Sequence, residues 1–107
     1  MSAVAERLPK LEASVERAVQ AVKADAGASP VLAAVVKELE KKLGKARPII
    51  QSGDDAKIRE AVVEVEQAAD SAKAAAEADS GVKEETRTAI IGAHDRVCLL
   101  KATVCAI

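Results

Sequence analysis

The sequence predicts an all-α protein, an antiparallel up-down-up-down four-helix bundle. Four stretches place apolar residues at alternating steps of three and four, the spacing that lines one face of a helix. Each stretch ends at a Gly, Pro or Ser cluster of the kind that stops helices. The loops left between them are short, and short loops force sequential helices to lie antiparallel.

The first helix is expected over about residues 3–26, with Val4, Leu8, Leu11, Val15, Ala18 and Val22 along one face. Pro9 lies inside it, where a proline ring clashes with the carbonyl four residues back. The helix is therefore expected to kink there or to begin near Leu8, leaving Met1 to Arg7 as a frayed end. Gly27-Ala28-Ser29-Pro30 reads as stop, loop, N-cap and first-turn proline.

The second helix, 30–51, carries Leu32, Val36, Leu39, Leu43, Ala46 and Ile50 in register. Gly44 and Pro48 interrupt it, so a bend or an early end is expected, and a three-helix bundle with this helix broken at Gly44-Pro48 is the alternative fold. Ser52-Gly53-Asp54-Asp55 marks the next boundary, where an Asp can cap the following helix. The third helix, 54–79, turns Ile58, Val62, Val65, Ala69, Ala72 and Ala76 inward and stops at Ser80-Gly81. The fourth, 82–107, has the seam Thr86, Ile90, Ala93, Val97, Leu100, Val104 and Ile107, with Gly92 as a mid-helix weakness.

At 107 residues the chain forms one domain, large enough for a single core. Half of its residues are apolar and none is aromatic, so the core is aliphatic and alanine-rich. The missing rings also exclude stacking platforms for unpaired bases and aromatic cages for quaternary ammonium groups. A net charge of −1 gives no general pull toward nucleic acid or anionic lipid. The charge is divided along the chain: residues 30–52 carry net +3 and residues 54–79 net −5, so the second and third helices attract each other.

Larger side chains line one end of the expected bundle, and Ala72, Ala76, Val82 and Thr86 line the other. Helices 3 and 4 should therefore approach closely at the alanine-rich end, because interaxial distance follows side-chain size. The N-terminal residues lack the apolar run of a signal peptide, no stretch is long enough to span a membrane, and Cys105 stands one place too late for a prenylation box. Cytoplasmic residence is the expectation.

Successive 100° steps on the fourth helix place Arg87, Ile91, His94, Cys98, Lys101 and Cys105 on one stripe beside the inward seam. It holds every His and Cys in the protein. His94 and Cys98 have metal-ligand spacing, but the close paired-Cys turns of structural zinc sites are missing, and no metal or other cofactor is expected. Cys98 and Cys105 are about 10 Å apart along one helix, so any disulfide would join two chains. Histidine phosphotransfer modules are also four-helix bundles of this size, yet their His-x-x-Lys-Gly order is not met by His94-Asp95-Arg96-Val97-Cys98. The likeness is one of architecture alone.

Lys37, Lys41, Lys42, Lys45 and Arg47 form a basic run, but the acidic third helix lies beside it and no nucleic-acid partner is expected. The motifs of di-iron bundles, haem attachment and phosphate loops are missing, and no enzyme activity is expected. The leading expectation is a non-catalytic bundle that associates with a protein partner or with a second copy of itself. Ile91, His94, Cys98, Lys101 and Cys105 on helix 4 are the expected contact residues. Two alternatives are a carrier of an apolar ligand or lipid between the helices, and phosphotransfer or metal binding through His94.

Overall fold

A computed structural model describes residues 2–105, all of the regular structure being helical: α1 Ser2–Ala24, α2 Pro30–Ser52, α3 Asp55–Ala78 and α4 Glu84–Cys105. Met1, expected in a frayed end, and Ile107, expected in the last seam, lie outside the described residues. Each helix packs on its neighbours in sequence and α1 closes the ring against α4, giving an up-down-up-down four-helix bundle of 41 × 20 × 18 Å.

Every seam residue expected within the described range is buried. Val19, Ala61 and Ala68 join them and widen the inward stripe. The alanine-rich end is closed, with Ala69, Ala72 and Ala76 at most 1% exposed. No buried side-chain nitrogen or oxygen among the described residues lacks a hydrogen-bond partner.

Neither proline breaks its helix. α1 runs unbroken from Ser2 through Pro9, and α2 from Pro30 through Pro48, which sets aside the broken second helix and the three-helix alternative. Both prolines are exposed, as are Ala5 and Gly44, whose carbonyls lose the bond, so water can take the missing donor's place. An interior proline costs about 3 kcal/mol, and burying a Val, Leu or Ile side chain returns about 1.5–3 kcal/mol. Val4 and Leu8 on one side of Pro9 and Ile50 beyond Pro48 are each at most 4% exposed, which is enough to hold the helix on both sides of the ring.

Ser29 caps α2, its hydroxyl accepting from the Leu32 amide at 3.1 Å, and Asp54 caps α3 by accepting from the Lys57 amide at 3.2 Å. Gly53, at φ 78°, ends α2 in the left-handed region that favours glycine.

The other helix ends differ from expectation. α1 stops at Ala24, not Ala26, and α4 starts at Glu84, not Val82, because Asp25 and Lys83 are drawn into a junction between the two loops at that end. One Asp25 carboxylate oxygen accepts from the Gly27 amide at 2.9 Å, and the other from the Lys83 amide at 2.9 Å and the Thr86 hydroxyl at 2.7 Å. Asp79 mirrors it, accepting from the Gly81 amide at 3.0 Å and from the Ser29 amide at 2.9 Å. Each loop thus gives one amide to its own aspartate and one to the other loop's.

The backbones touch at this crossing. A Cβ on Gly27 would overlap the carbonyl oxygen of Gly81, and one on Gly81 would come within 2.7 Å of the carbonyl oxygen of Gly27. Asp25 and Gly27 recur as Asp79 and Gly81, 54 residues later. The seams recur at the same interval, Val4 with Ile58 and Leu8 with Val62 in the first helix of each half, Val36 with Ile90 and Ile50 with Val104 in the second. The bundle is therefore two like helical hairpins, α1–α2 and α3–α4, clasped at their loops.

Candidate functional site

α4 has two flanks beside its buried seam, and they differ in chemistry. The flank toward α3 carries the stripe singled out in the sequence, and three of its members are engaged within the chain. Arg87 reaches the C-terminal end of α3, donating from Nε to the Ala76 carbonyl at 3.2 Å and from Nη2 to the Asp79 carbonyl at 3.0 Å, while Nη1 meets Glu84 at 2.7 Å. This cation supplies donors to carbonyls that a helix end leaves without partners. His94 Nε2 lies 2.9 Å from Asp70, and Lys101 Nζ donates to Glu66 at 2.8 Å, a bond that raises the Lys101 pKa.

Cys98 Sγ stands 3.8 Å from Nε2 and 3.9 Å from Nδ1 of His94. A sulfur almost equidistant from both nitrogens lies across the ring and is not aligned on one of them, so it does not have the geometry of a nucleophile bonded to its base. Partial desolvation, followed by the nearby negative charge of Asp70, Glu66 and Asp95, pushes the Cys98 thiol up and favours its less reactive protonated form. Ile91 is half-buried, whereas Cys98 and Cys105 are exposed free thiols. Among the described residues no three His, Cys, Asp or Glu side chains gather as metal ligands would.

No family model, curated protein or solved structure matches this chain. The surface itself must carry any functional argument.

The flank of α4 toward α1 is open. A groove of about 720 Å³ runs between the two helices past Ser14, Arg17, Glu85, Gly92, Asp95 and Leu99. A smaller hollow of about 250 Å³, lined by Glu6, Arg7 and Lys10, continues it and shares Arg96 and Leu99. Leu99 is 50% exposed, one of three large apolar side chains that face solvent among the described residues. Arg7, Lys10, Arg17 and Arg96 make no ion pair with any described residue, while Lys42 reaches Glu64 at 3.1 Å and Arg47 pairs with Glu12 elsewhere on the bundle.

The sequence singled out Gly92 only as a weak point and passed over Leu99, Asp95 and Arg96. Their signal is an apolar residue alone on a polar helix face, and apolar periodicity is built to discount such positions. The loop clasp did leave a trace, the repeated Asp-x-Gly at an interval of 54 residues.

Proposed function

We propose that this protein is a non-catalytic bundle that works by associating with another protein, as an adaptor, chaperone-like cofactor or assembly subunit, with α4 as the contact helix. The observation that carries the reading is the α1–α4 groove, where a half-exposed leucine is set among four cations that pair with no described residue. Interfaces commonly seat an apolar anchor inside a polar rim, and arginine is enriched in them. Within this reading Ile91, Cys98 and Cys105 form a second edge of the contact, since His94 and Lys101 beside them are held by α3.

The same geometry weakens the alternatives. Between α1 and α2 the hollow lined by Val19, Val22 and Val36 has about 190 Å³, below the 300–1,000 Å³ typical of ligand pockets, and the larger α1–α4 groove is edged by Arg17, Glu84, Glu85, Asp95 and Arg96, charges that an apolar ligand would have to desolvate. His94, with 13% of its side chain exposed and Asp70 on its Nε2, is poorly placed to accept a phosphoryl group. No helix among the described residues is long and apolar enough to cross a membrane, and a cytoplasmic address without nucleic-acid binding completes the proposal.

Site-directed photo-cross-linking in the source cell tests it. A photoreactive residue replacing Leu99 should capture a discrete protein, identified by mass spectrometry as another chain or a second copy, whereas one replacing exposed Lys37 should not. Equal capture from the two positions would remove the proposal.

A further inference from the structure

The charges along the α1–α4 groove are arranged head to tail. Toward one end Arg7 and Lys10 outnumber Glu6, toward the other Glu84, Glu85 and Asp95 outnumber Arg17, and Arg96 lines both hollows where they meet. A surface with two such ends complements a copy of itself turned end for end. We propose that the occupant of this groove is a second copy of this chain, docked about a two-fold axis that crosses α4 between Asp95 and Arg96. This rests on the association reading above and names the partner it leaves open.

Charge selects the docking. A two-fold axis parallel to the helices would lay basic end on basic end, whereas an axis across them lays each basic end on an acidic one. Shape then selects the register. Leu99 and Gly92 are seven residues apart, two turns or about 10 Å along the same side of α4. Gly92 has no side chain, and a Cβ built on it meets nothing within 4 Å. Antiparallel packing of α4 on α4 therefore seats Leu99 of each copy on Gly92 of the other, both at once by symmetry.

That register places Arg96 of each copy opposite Asp95 of the other and carries Glu6 toward the second copy's Arg17. Among the described residues Asp95 keeps one oxygen uncommitted, because its contact with His94 Nδ1, at 3.4 Å, uses Oδ1 alone. In that register α4 faces α4 over residues 86–105, about 28 Å at 1.5 Å per residue, and the contact is two helices wide. An interface of this size falls at the small end of specific contacts, which corresponds to a micromolar dimer that forms and separates readily.

Sedimentation of the purified full chain over a range of about 5–500 μM, with melting curves as a folding control, tests the proposal. The wild type should pass from monomer to dimer in that range, and high salt should shift the equilibrium toward monomer. Arg96→Asp and Asp95→Arg should each weaken self-association at least tenfold, and an equimolar mixture of the two should recover it as a heterodimer, since each then faces the opposite charge at both positions. Gly92→Leu should abolish the dimer without lowering the melting temperature, and Gly44→Ala, at the other open helical glycine, should leave association unchanged.

A wild type that stays monomeric throughout, or a dimer indifferent to the charge exchange, would overturn the proposal. Cross-linking from position 99 to a different protein would then keep the broader association reading alive, and loss of that signal too would end both.

Discussion

The two ends of the bundle are built differently. At one, the α1–α2 and α3–α4 loops cross with their backbones in contact, and every bond that joins them spans 50 residues or more of chain. At the other, the α2–α3 turn makes no bond to another described loop, its residues exposed and its caps made within a few positions, Asp54 with Lys57 and the Ser52 hydroxyl with the Ile49 carbonyl at 2.5 Å. The first end holds hairpin to hairpin, while the second only reverses the chain. Stability and order should therefore be concentrated where the loops cross.

The strongest way to break this contrast is to add one methyl group at each end. Gly27→Ala drives a side chain into the Gly81 backbone and should cost about 3 kcal/mol in urea denaturation, the upper range for overpacking. Gly53→Ala meets open space but must adopt a positive φ, and should cost about 1 kcal/mol.

Removing a carboxylate is the next test. Asp25→Ala strips three bonds from two loops and should lower the melting temperature by about 10 °C, since bonds to a charged group are stronger than average and each kcal/mol is worth several degrees in a domain of this size. Asp54→Ala loses a single exposed cap and should cost about 1 kcal/mol.

Acid provides a subtler comparison. The Lys83 amide, with the Thr86 hydroxyl, holds the Asp25 carboxyl below its ordinary value, and the Ser29 and Gly81 amides do the same for Asp79. Because both groups titrate lower in the folded chain than in the unfolded one, their contribution is complete above about pH 4 and is lost as the pH falls through the folded-state values. Melting temperature against pH should drop steeply there. Asp25→Asn should be less stable at neutral pH with a flatter acid limb.

Hydrogen exchange should show the smallest difference, between single amides. The amides of Ser29 and Lys83, bonded across the crossing, should exchange far more slowly than those of Gly53 and Asp54 in the turn.

Much of the fold was legible because its signals are local. The seams of all four helices, the Ser29 cap with Pro30 behind it, and the Gly53-Asp54 boundary follow from residues within one or two turns of each other. Pro9 and Pro48 misled for the same reason: a local rule predicts a break, and only the burial of Val4, Leu8 and Ile50 outweighs it. The stripe from Arg87 to Cys105 was legible as a stripe. That it faces α3, so that Asp70 and Glu66 engage His94 and Lys101, follows from a helical neighbour that periodicity cannot name.

The sequence by itself determined four amphipathic helices, their order, their antiparallel course and the residues of their core, because burying an apolar stripe depends on spacing along the chain. Only the tertiary structure decided that the loops clasp through Asp25 and Asp79, and that α4 is tied to α3 along one flank through Arg87, His94 and Lys101 and opens a groove toward α1 along the other. Those outcomes depend on which groups meet across 50 or more residues, and such meetings are settled by the packing of whole helices.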